Sequence, residues 1–275
     1  MNVARLLRIL LVAASLMTLG TGIAHAVPVM HVDDSVGNLG TVDVATGSAT
    51  VIGNMGVVMT DIAFSPTGQL FGLSFTGFYS INPATAASTF IGNHGVPGGN
   101  ALVFGTDGTL YAAGFDSTSL FTINPATGAG TSLGNVGATS GGDLAFNGGN
   151  LFLATGSSQL LRIDLANLAN STIVGSFGVS DVFGLATGDN GVLYAVAGTQ
   201  VFTVDTTTGA ATNPVDWANQ GLGIAFGQSF FAEAGAGPKP PPTPVPEPAT
   251  LLLLGTTLSG MGPAAWRRRR PGSAD

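Results

Sequence analysis

The sequence has no cysteine. That excludes a disulfide framework and thiol chemistry, and a chain of 275 residues is long enough to build a core without them. Charge is also scarce, at 8% of residues. Between Val27 and Pro238 the one Lys or Arg is Arg162, set against twelve Asp and Glu233, a net charge of −12. A body this acidic repels nucleic acid and anionic lipid, so no nucleic-acid partner is expected. It attracts cations, basic partners or a calcium-bridged matrix. Beyond the first 26 residues histidine is limited to His31 and His94, and no G-x-S-x-G elbow occurs, so the usual nucleophile–base pairs are missing. His94, in "GNHGVPGG", reads as a solvated loop residue rather than a base.

What is abundant is glycine, 42 residues of it, together with Thr, Val, Ala and Phe. That mixture suits short strands and tight turns better than helices.

The two ends differ from the body. Residues 1–26 read as a secretory signal peptide. Arg5 and Arg8 form a basic start, Ile9 to Ile23 is mostly apolar, and Ala24-His25-Ala26 offers small residues to signal peptidase at Ala24 and Ala26. At the far end, residues 235–244 are a Pro-rich linker that favours an extended polyproline-type spacer. Val245-Pro246-Glu247-Pro248 follows, and then residues 249–266, 18 residues without a charge. That length just crosses a bilayer as a helix, although Pro263 removes a backbone donor within it. Arg267, Arg268, Arg269 and Arg270 form a basic stop that stays cytoplasmic.

Pro-Glu-Pro, an apolar run and a terminal Arg cluster, in that order, resemble the PEP-CTERM sorting signal of Gram-negative bacteria. The resemblance covers residues 245–270. It implies recognition by an exosortase, a membrane-embedded cysteine transpeptidase-like enzyme. It also implies transient anchoring in the inner membrane, display at or release from the cell surface, and association with exopolysaccharide and biofilm matrix.

The body, residues 27–234, repeats. "VDVATGSATVIGN" at Val42 returns as "INPATAASTFIGN" at Ile81, "INPATGAGTSLGN" at Ile123, "IDLANLANSTIVG" at Ile163 and "VDTTTGAATNPVD" at Val204. A second marker is "DIAF" at Asp61, "ALVF" at Ala101, "DLAF" at Asp143, "GLAT" at Gly184 and "GIAF" at Gly223. Each unit reads as two hairpins. Asp107-Gly108 and Asn190-Gly191 suit one turn, and Pro83 suits a type I turn in the other. In that turn Gly128 fills the left-handed position and Ala86 stands there under strain. Four strands per 40-odd residues make a propeller blade. The expected fold is therefore all-β, a five-bladed β-propeller of four-stranded blades, with a signal helix and a transmembrane helix at its ends. Gly223–Ala234 and Val29–Gly53 share the closing blade. Either Val29–Val32 or Phe230–Glu233 supplies its second strand.

Candidate chemistry is sparse. Asp61 and Asp143 open inner strands, with Asn100 and Asp181 close to the corresponding place in other blades. Such acids either cap backbone amides or form a ring that could hold calcium. Asp43, Asn82, Asn124, Asp164 and Asp205 recur as Asx residues that start turns. Phe64, Phe104, Phe146 and Phe226 recur on the inner strand, and Phe71, Tyr111, Phe152, Tyr194 and Phe230 on the next, as core between blades. Trp217 breaks the pattern, either as cover over the core or as a platform for a sugar. Three functions rank in this order: an exported, non-enzymatic surface or matrix protein, a lectin-like binder, and a polysaccharide-acting enzyme. The last would need acids brought together in the channel.

Overall fold

The computed structural model describes residues 28–233. The expected signal peptide, the linker, the Pro-Glu-Pro motif, the helix expected at 249–266 and the Arg cluster lie outside the described residues. Among the described residues no helix is long and apolar enough to cross a membrane.

Five four-stranded antiparallel sheets make five blades. Blade two is β4 (Asp61–Phe64), β5 (Leu70–Leu73), β6 (Gly77–Ile81) and β7 (Ser88–Asn93). Blade three is β8 (Gly99–Phe104), β9 (Leu110–Gly114), β10 (Ser119–Ile123) and β11 (Gly130–Asn135). Blade four is β12 (Ser140–Asn147), β13 (Asn150–Thr155), β14 (Gln159–Ile163) and β15 (Thr172–Ser176). Blade five is β16 (Val182–Thr187), β17 (Leu193–Ala197), β18 (Gln200–Val204) and β19 (Ala211–Asp216). The closing blade joins the two ends of the body, in the order β20 (Ala225–Phe230), β1 (Val29–Asp34), β2 (Asn38–Asp43), β3 (Ala49–Asn54).

The second strand of the closing blade is thus the N-terminal one. Met30 pairs with Phe230 and Val32 with Gln228. Residues 231–233 turn away instead of continuing as strand. The join is clasped by Asp34, whose carboxylate accepts the amides of Val36, Asn38 and Gly223 at 2.8–3.0 Å.

This register corrects the repeat alignment. In blade two Phe64 pairs with Leu70 and Leu70 with Ile81. In the closing blade Phe230 pairs with Met30 and Met30 with Val42. The counterpart of "DIAF" is therefore "GQSF" at Gly227, four residues beyond "GIAF". Phe230 belongs with Phe64 on the innermost strand, and His31 takes the place of Phe71. The small, apolar "GIAF" imitates the marker, but the pairing runs through it with a bulge between Asp33 and Asp34 that leaves out Phe226.

The core lies between blades, in apolar clusters that each span one interface. The outer turns fit the sequence expectation closely. Asp43, Asn82, Asn124, Asp164 and Asp205 each accept the amide two residues on, at 2.7–2.9 Å. Gly128 has φ +77° and Ala86 φ +62°. These turns also join neighbouring blades. A side chain at Gly92 on β7 would strike the carbonyl oxygen of Thr127 in the next blade's turn.

Candidate functional site

Inner strands pair with a neighbour on one side only, so their other edge carries amides that need acceptors. Two aspartates supply them. Asp61 accepts its neighbour's amide, Ile62, at 2.7 Å and the next blade's Leu102 at 2.6 Å. Asp143 does the same for Leu144 at 2.6 Å and Leu185 at 2.7 Å. Each carboxyl therefore staples its own blade to the following one. Both side chains are completely buried, and the two carboxyls stand close enough to act on each other. Burial raises both well above the ordinary carboxyl range. The charge of its partner adds to the rise at Asp61, and that of Glu233 adds to it at Asp143.

Two further acids approach this pair. Asp33, on β1, is fully buried and its carboxyl oxygens lack hydrogen-bond partners. Burial pushes it up to about 8, with Asp34 adding to the rise and nearby amides only partly offsetting it. Glu233 turns its carboxyl inward, accepting Thr187 N–H at 3.3 Å and Ser229 Oγ–H at 3.1 Å. Burial of that carboxyl raises it to about 8. His31 is buried with its Nδ1 unpartnered, and burial lowers it to about 4. Among the described residues no three His, Asp or Glu side chains stand where they could share a metal ion.

One residue before the acid layer the channel opens into a pocket of about 310 Å³. Its wall is built from the residues that precede the repeated inner-strand position. These are Thr60, Asn100, Gly142, Phe183 and Phe226, one from each blade. Phe75 and Phe115, two residues beyond the second strand of blades two and three in the repeat frame, complete it. They are 53% and 45% exposed, and their rings meet edge-on at 5.5 Å. Phe183 and Phe226 form a second edge-on pair at 6.0 Å. Gly142 is required here, because a Cβ on it would run into the backbone of Phe183. The hydroxyl of Thr60 is engaged with the carbonyls of Leu73 and Gly99 at 3.2 and 2.8 Å. The side-chain oxygen of Asn100 is buried without a partner.

Several sequence expectations are relocated by this geometry. Asp61 and Asp143 come together, and they do so as caps of backbone amides. Asn100 reaches the pocket, while Asp181 is exposed in the loop before β16. Trp217 is wholly buried in the cluster between blade five and the closing blade, so it offers no platform. His94 is not solvated. It is 1% exposed, bonds the carbonyl of Ser74 at 2.9 Å through Nε2, and accepts the Val96 amide at 3.0 Å through Nδ1. Phe226 is a wall of the pocket and not a repeat of Phe64. Asp33, Asp34 and the Phe75–Phe115 pair escaped the sequence reading. A register that placed Phe230 on the inner strand would have exposed Phe226 as the odd aromatic.

Comparison with protein families matches residues 244–270 to the PEP-CTERM protein-sorting motif. The chain is thus an exported protein carrying an exosortase-sorting signal, joined to a five-bladed propeller. A search of curated proteins found no match. Among solved structures, one chain of a nidogen/laminin complex is similar at 13% identity, over 76% of this chain and 82% of that one, with a TM-score of 0.51. That likeness is one of fold alone. A chain from work on the de novo evolutionary emergence of a symmetrical protein aligns at 21% identity over 73% and 93%, TM-score 0.46. A protein of unknown function from Bacteroides caccae aligns at 11% identity over 76% and 100%, TM-score 0.47.

Proposed function

We propose that the propeller is a non-catalytic binding or scaffolding module, displayed at the surface of its cell and held in the exopolysaccharide matrix. The observation that carries this reading is the use made of the channel acids. A glycosidase needs two carboxyls that a substrate can reach. Asp61 and Asp143 are completely buried, and their oxygens are taken by four backbone amides. A calcium ion on the same pair would have to compete with those amides. The body's negative charge suits a matrix in which cations bridge acidic groups.

The route to the surface, in this reading, runs through signal peptidase after Ala26, a transient anchor at residues 249–266, and exosortase at the Val245–Pro248 motif. Expression in an exosortase-bearing host, followed by intact mass of the extracellular form, tests it. A chain from Val27 to near Val245–Glu247 is expected. A chain that keeps Arg267–Arg270 in the membrane would overturn the sorting step. The non-catalytic reading is tested by incubating the released protein with the host's polysaccharide. Retention without new reducing ends is expected, and the appearance of shortened chains would sink it.

A lectin-like role is the second reading. It is favoured by the aromatic pocket at the channel mouth, since exposed rings can stack on sugars.

A further inference from the structure

We propose that the pocket at the channel mouth binds an alkylammonium group, an N–H-bearing cation on a short apolar stem. This inference rests on the reading of the propeller as a binding module and names the chemistry of its site.

Three observations converge on it. Phe75, Phe115, Phe183 and Phe226 line the space, and the faces of aromatic rings attract cations. Two of the four rings stand about half exposed at the entrance. Asn100 also belongs to the wall, and its side-chain oxygen is a buried acceptor without a partner. An unmet buried acceptor gains from any donor that reaches it. The surroundings are negative. Exposed Asp116 follows Phe115, exposed Asp181 precedes Phe183 by two residues, and Arg162 is the only Lys or Arg among the described residues.

Other ligand classes fit less well. An anion would meet this field with the wrong sign. A sugar brings many hydroxyls, and most would lose water without finding a partner in a wall of four phenylalanines. A neutral hydrocarbon would fill the space and leave the Asn100 oxygen unmet. The volume of about 310 Å³ is at the small end of ligand pockets, which suits a short amine or a single side-chain terminus.

The test is a calorimetric or NMR titration of the exported protein with four probes: n-butylammonium, n-butanol, butyrate and methyl glucoside. Butylammonium is expected to bind more tightly than the other three. Phe75→Ala and Phe115→Ala, at exposed positions, are each expected to weaken it about two- to five-fold with the melting temperature kept. Phe90→Ala, at an exposed ring on β7 away from the mouth, should leave binding unchanged. A fifth probe, lysine capped at both ends, separates the sources of the group. Binding equal to butylammonium points to a lysine of a partner protein, and weaker binding points to a free amine. Equal binding of butanol would reduce the site to an apolar hole and overturn the proposal. So would tighter binding of methyl glucoside, no binding of butylammonium, or an equal loss in Phe90→Ala. None of these outcomes depends on whether the protein cleaves polysaccharide, so the two readings fail separately.

Discussion

Replacing Asp61 by Ala strands two buried amides at once, those of Ile62 and Leu102. Each costs about 1–3 kcal/mol, so Asp61→Ala should lower stability by roughly 2–6 kcal/mol in denaturant melts. Asp61→Asn keeps one acceptor and should cost less. Loss of stability in both variants without change in binding would mark the acid as structural. Ala86 makes the opposite case. Its left-handed backbone, φ +62°, carries about 1–2 kcal/mol of strain, and Gly would relieve it. Its methyl is also fully buried, worth about 0.8 kcal/mol, and Gly frees the unfolded chain by about 0.4–1 kcal/mol. These nearly cancel, so Ala86→Gly should change stability by less than about 1 kcal/mol.

At the scale of elements, the turn between the third and fourth strands both ends a hairpin and seats the next blade. Gly92 lies where the following turn arrives, and Gly92→Ala would push a methyl into the Thr127 carbonyl. Overpacking of that kind costs about 1–3 kcal/mol, and a lowered melting temperature with an unchanged far-ultraviolet spectrum is the expected result. These turns were the most legible part of the chain, because Asx, Pro and Gly act locally and announce themselves in sequence. Blade number and strand count were legible for the same reason. That the two ends share a closing blade was legible too, but its register was not. "GIAF" has the composition of an inner strand, and only pairing with β1, some two hundred residues away in sequence, shows that "GQSF" fills that role. That slip of four residues hid the mouth pocket, since it counted Phe226 as core. Asp33 was missed because its burial follows from ring closure, and Trp217 was left between cover and platform because a loop residue gives no sign of what covers it.

At the scale of the whole molecule, the channel stores carboxyl groups that resist ionisation. Asp33 and Glu233 are raised to about 8, whereas in the unfolded chain they titrate near 4. Between those values the folded state holds protons that the unfolded state has released, so stability falls as pH rises. His31 acts the other way. Lowered to about 4, it makes folding more favourable as pH climbs toward its unfolded value near 6.5. Above that only the acids act. The melting temperature should therefore drop between about pH 6.5 and 8, on the order of 5–10 °C, and Asp33→Asn should flatten the slope. A flat profile in the wild-type protein would show that these acids ionise freely.

The shared blade also sets an order of events in time. A chain emerges and folds from its N-terminus, yet β1 stays an open edge until β20 arrives, and contacts so distant in sequence form slowly. The latch strand ends at Phe230 and the sorting motif begins at residue 244. The last piece of the ring and the tag that hands it on are delivered almost together, so an exosortase that waits for its motif meets a chain that already holds every strand it needs to close.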